Sequence, residues 1–166
     1  MTPTATPTTS LMSEALQQIA AIRRFFERTT GGLEEKHSGF RATPETRTVA
    51  GQVAHVAQTI DWFREGGLED RWRLDFETMM AETDRVTSLA AARAWLEEAW
   101  NRLEAAVRAL PETRLEEPMA PNPILQERRR YGAIEAITDH TAHHRGSLAV
   151  CVRLLGEVPP MPYGDD

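Results

Sequence analysis

The stretch SLAAARAWLEEAWNRLEAAVRALP, residues 88–111, decides the fold. Leu89, Ala92, Leu96, Ala99, Leu103, Ala106 and Leu110 alternate spacings of three and four, which runs one apolar stripe along a helix. Ser88 supplies an N-cap hydroxyl, and Pro111 cannot continue the helix. A strict three-four seam is the packing surface of helices that cross at a shallow angle with a left-handed twist, so this helix requires partners.

Working outward, three more segments supply them. Ser10 caps a first helix carrying Leu11, Ala15, Ile19, Ile22 and Phe26, expected to run to Thr29 and stop at Gly31-Gly32. A second helix begins between Thr46 and Thr48, carries Val49, Val53, Val56, Ile60 and Phe63, and ends at Gly66-Gly67. A last helix runs from Tyr131 to Leu155, closed by Gly156 with Pro159-Pro160 behind it. The expected class is therefore all-α: a four-helix bundle with long connections between helices 2–3 (residues 68–87) and helices 3–4 (residues 111–130). The first connection, with Trp72, Leu74, Phe76 and Met79-Met80 among charges, reads as a packed link without steady periodicity. The domain reading is a disordered Thr/Pro/Ala tail at residues 1–9, one helical unit over residues 10–160, and a C-terminal tail at residues 161–166.

The chain has 166 residues, 41% hydrophobic and 27% charged, with a net charge of −6. That balance argues for a single folded unit and disfavours nucleic acid or an anionic membrane as partner, because both require a clustered basic surface. The run Glu127-Arg128-Arg129-Arg130 is short and reads as a solvated approach to the last helix. One cysteine, Cys151, excludes an internal disulfide and any multi-cysteine zinc site. The opening MTPTATPTTS has no basic or apolar character of a secretory signal, and no apolar run approaches the ~20 residues that span a bilayer. The expected location is cytoplasmic.

Three of five histidines lie in DHTAHHRG, residues 139–146. At about 100° per residue, His140 and His144 fall on one shoulder of the last helix's apolar stripe, whereas His143 falls outside it. Imidazoles at i and i+4 lie roughly 6 Å apart on one face and can reach one metal ion. The plainer alternative is a pair of histidines hydrogen-bonded to core partners or turned to solvent. His37 sits in a polar loop and is expected to be exposed. His55 shares a polar shoulder of helix two with Gln52 and Thr59, and across a bundle it would complete three nitrogens, the ligand count of an open catalytic zinc site. Cys151 lies two turns past His144, ~10 Å along the axis, and reads as a small buried apolar residue. Trp62, Trp72, Trp95 and Trp100 read as packing residues.

HTAHHRGSLAVCVRLLG, residues 140–156, and VAHVAQTIDWF, residues 53–63, resemble the DinB/YfiT-like family of metal-binding four-helix bundles. The resemblance covers nearly the whole chain after the tail. It implies a metal triad of His55, His140 and His144, with His143 outside it, a divalent ion such as zinc or nickel, and a homodimer. Ser147 stands where the family often has Gln. Characterised relatives join a low-molecular-weight thiol to an electrophile, which implies a thiol transferase acting on a small-molecule substrate. Gln52, Thr59, Asp61, Tyr131 and Arg145 are the expected supporting or substrate-contacting residues. Two other readings stand beside it: a non-catalytic metal-binding stress-response protein, and a metal-dependent hydrolase. Hydrolysis requires a carboxylate base on the inner face, and Glu135 points away from it on the helical wheel.

Overall fold

Serine and threonine caps set where the long helices begin. The computed structural model describes residues 10–164, so the expected tail at residues 1–9 and the last two residues of the chain lie outside the described residues. The Ser10 hydroxyl accepts from the Ser13 amide ahead of α1 (Leu11–Thr30). Thr48 and Ser88 cap α2 (Val49–Phe63) and α4 (Leu89–Ala109) in the same way. The last helix, α6, spans Tyr131–Leu154, and Gly156 follows it in the left-handed region at φ +90°.

Between them lie two shorter helices, α3 (Phe76–Asp84) and α5 (Glu112–Glu116). The chain is all-helical, with six α-helices and no named strand among the described residues. The expectation of irregular links therefore misses α3 and α5. In α3 the apolar residues are split between a buried Met79 and exposed Phe76 and Met80, so no clean stripe marks the helix. None of these helices is long and apolar enough to cross a membrane.

The four long helices share one core: α2 packs on α4 and α6, and α1 packs on α6 and α4. Trp100, Leu103, Ile134 and Leu148 are fully buried in it. Each large side chain so buried contributes about 1.5–3 kcal/mol.

Helix two does not stop at its glycines. Arg64–Leu68 continue as a π-helical turn, and Asp70 then reverses the chain at φ +58°. Gly67 lets this turn press against α6, since a Cβ there would lie 2.4 Å from the Ala133 Cβ. Arg130 locks the contact. Its side chain is 3% exposed, and one amino group donates to the Gly67 carbonyl at 3.1 Å and to Asp70 at 2.9 Å. The other donates to Asp70 at 2.5 Å. The reading of residues 127–130 as wholly solvated is corrected here, because Arg130 turns inward to unpaired carbonyls while Arg128 and Arg129 stay exposed. The end of α2 is thereby tied to the start of α6, the two helices that carry the histidines.

Candidate metal centre

His55 lies two turns into α2, while His140 and His144 lie one turn apart midway along α6. The His55 ring meets those of His140 and His144 edge to face, with centroids 4.9 Å apart, and the latter two are tilted at 4.5 Å. The Nε2 atoms of His55 and His140 approach to 3.2 Å. One nitrogen from each of the three residues lies within 4.8 Å of the others, so the trio can hold a metal ion.

All three rings are half-buried. Burial, reinforced by the Arg47 guanidinium and the neighbouring imidazoles, pulls His55 and His140 down to about 4 and His144 to about 3. At neutral pH the imidazoles are uncharged, which is the state that ligates metals.

The donor set fits a divalent cation. Tetrahedral coordination by imidazole at 2.0–2.1 Å places ligand nitrogens ~3.3 Å apart, close to the His55–His140 separation. Without a cation the trio is poorly satisfied. The Nδ1 atoms of His55 and His144 are buried and make no hydrogen bond. A neutral imidazole has one N–H and one lone pair, so two rings facing each other through Nε2 leave buried groups unmatched whichever tautomers they take.

Around the trio, the expected supporting residues divide. The Thr59 hydroxyl lies 3.5 Å from the His140 Nε2. Gln52, one turn before His55 on α2, donates its amide to the Arg47 carbonyl at 3.4 Å and to the Cys151 sulfur at 3.9 Å. The other three are engaged elsewhere. Asp61 accepts both forks of Arg102 at 2.8 and 2.9 Å and the Trp95 indole at 3.1 Å, tying α2 to α4. Tyr131 donates to Gln18 on α1 at 2.8 Å. Arg145 donates to the Tyr163 hydroxyl at 2.9 Å and lies over the Phe25 ring.

His143 is exposed and touches only the edge of the His144 ring in its aromatic contacts. His37 is half-buried rather than exposed, because its Nδ1 accepts the Glu34 amide and closes a tight turn. Cys151 is buried, and burial pushes its thiol up.

A cavity of about 370 Å³ opens beside His144, bounded by Thr46, Arg47, Gln52, Ser147 and Cys151. Thr46 and Arg47 are absent from the sequence-based site. They sit in an aperiodic loop whose position depends on contacts from Arg47 to Thr83 at 3.0 Å and Asp84 at 2.8 Å on α3.

Comparison with known proteins agrees with the all-helical fold. A family model described as the DinB superfamily matches residues 11–148. No curated protein matches the chain by sequence. Among solved structures, the colibactin self-resistance protein ClbS, determined in complex with a dsDNA, superposes with a TM-score of 0.65 at 12% identity. The alignment covers 89% of this chain and 98% of that one. It also corrects the exclusion of nucleic acid as a partner, since a protein of this fold is found on duplex DNA. Net charge sums the whole surface, whereas phosphate contacts depend on a few local cations, so −6 is no ground for that exclusion.

Proposed function

The chain belongs to the DinB superfamily, and from that membership we propose that His55, His140 and His144 hold one divalent ion, zinc or nickel, in a transferase that joins a low-molecular-weight thiol to an electrophilic substrate. The observation that carries the reading is the convergence of three neutral, half-buried imidazoles from α2 and α6, with one nitrogen of each within 4.8 Å of the others. Bound there, a divalent ion supplies Lewis-acid charge that lowers the pKa of a thiol into the neutral range.

The protein's own residues do the rest. Burial keeps the three imidazoles neutral, and the Thr59 hydroxyl lies 3.5 Å from the His140 Nε2. Gln52 bridges the Arg47 backbone and Cys151, bracing the cavity wall next to His144. In the reaction a carbon–sulfur bond forms as the bond to the leaving group breaks. The leaving group departs with the electron pair, and the thiol proton passes to solvent. Hydrolysis is the weaker chemistry here, because no carboxylate lines the cavity beside His144.

The test is incubation of zinc- or nickel-loaded protein with a panel of small thiols and an epoxide or chlorinated aromatic electrophile, with mass spectrometry for the conjugate. A metal-dependent conjugate supports transfer. Metal uptake without conjugate from any thiol leaves a non-catalytic metal-binding protein as the reading.

A nucleic-acid partner is the second reading, favoured by the dsDNA complex of the colibactin self-resistance protein. The exposed Arg128 and Arg129 at the head of α6 offer phosphate contacts. Fluorescence anisotropy with a labelled duplex tests it. Salt-sensitive binding that weakens in Arg128→Ala supports the reading, and no binding at low salt removes it.

A further inference from the structure

Of the groups lining the cavity beside His144, Arg47 is the one ionised side chain, and no acidic residue joins it. Ala42 from the loop and Val150 from α6 add apolar lining. The cavity thus pairs a cationic end with an aliphatic surface in a volume of about 370 Å³, enough for a small organic molecule.

The Arg47 guanidinium is held rather than loose. One amino group is bound by Thr83 and Asp84, neither of which lines this cavity, and Asp84 lines a neighbouring hollow. Those are its only side-chain hydrogen bonds among the described residues, which leaves Nε and the second amino group, a planar fork of the kind that pairs with a carboxylate. Its side chain is 23% exposed, so a pair formed there is partly shielded from water. Arg47 and His144 line the same cavity, which places the arginine beside the trio.

We propose that this cavity binds a small organic carboxylate, with Arg47 pairing the carboxylate and the ligand's body lying along Ala42 and Val150 toward His144. The inference deepens the metal-site reading by naming the substrate class, but recognition by Arg47 does not itself require a metal. The carboxylate belongs either to the thiol or to the electrophile.

Titration of the isotopically labelled, metal-free full chain, followed by amide NMR, keeps the two claims apart. The probes are 3-mercaptopropionate and 3-phenylpropionate, each against its methyl ester. The expected result is binding of the acids that shifts the amides of Thr46–Gln52 and Ser147–Cys151, with the esters at least ~10-fold weaker. Arg47→Gln brings acid affinity down to that of the ester, and Arg47→Lys restores part of it. Equal binding of acid and ester to the wild-type chain overturns the proposal even if the Arg47 variants fold poorly, as does an acid preference that survives Arg47→Gln. Repeating the titration with zinc assigns the source: a selective gain for the mercapto acid places the carboxylate on the thiol, and equal gains place it on the electrophile. Failure of zinc uptake counts against the metal reading alone.

Discussion

The Nε2 atoms of His55 on α2 and His140 on α6 face each other at 3.2 Å, joining residues 85 positions apart in the chain. Neither imidazole is charged at neutral pH, and the third ring, His144, is held lowest of all by the same burial.

That depression sets a pH dependence. The folded-state values, about 4, 4 and 3, lie below the ordinary 6.5, so between them the unfolded chain binds more protons than the folded one. The metal-free protein keeps its full stability above pH 6.5 and loses it progressively as pH falls toward 4. Urea midpoints measured from pH 8 to pH 4 should show this decline. Substituting all three histidines by Gln should flatten it.

Arg130→Ala should destabilise the fold by about 1–3 kcal/mol, because it leaves the buried Gly67 and Leu68 carbonyls without this donor and takes from Asp70 its main partner, leaving the Ala120 amide and Arg114. Pairing with Arg130 also holds the Asp70 carboxyl below the ordinary carboxylate range. Urea unfolding of the variant against the wild-type chain measures the loss.

Gly67→Ala should cost about 1–3 kcal/mol, since the added methyl meets Ala133 on α6 at 2.4 Å and the helices must part. Ala133→Gly in the same chain should recover much of it. Because the histidines sit on the same two helices, zinc affinity should follow stability across the three proteins; affinity unchanged in Gly67→Ala would show the site to be independent of this contact.

Thr59→Val keeps the shape and removes the hydroxyl 3.5 Å from the His140 Nε2, which competes with the ion for that nitrogen's lone pair, and should leave metal binding unchanged or up to roughly 3-fold tighter. Asp61→Asn should leave metal affinity unchanged while loosening the tie to Arg102. Competition titration with a chromogenic chelator measures both.

The long helices were legible because their signals are local. Ser10 and Ser88 cap where expected, and each apolar stripe lies within its own helix. The stripe on α4 drifts, however. Trp100 and Val107 are fully buried whereas Ala106 and Leu110 are only partly so, since a straight helix turns 3.6 rather than 3.5 residues and its inner face rotates along its length. The histidine trio was legible for a similar reason, as two members share one helix face. What escaped sequence reading depends on distant partners. Arg130 is buried by carbonyls of a π-helical turn more than 60 positions earlier, and Arg47 is placed by the end of a helix, α3, that has no apolar stripe. Asp61, Tyr131 and Arg145, expected to support the site, are each drawn to another helix or to the C-terminal segment.

The most direct test of the central claim is metal content. Protein purified without a polyhistidine tag, reconstituted with zinc and desalted, should hold about one ion per chain by mass spectrometry, the stoichiometry of a single three-histidine site. His143→Ala should retain that ion, because His143 is exposed and outside the trio. His144→Ala should lose it. Retention of the ion in His144→Ala, or equal loss in His143→Ala, contradicts the account.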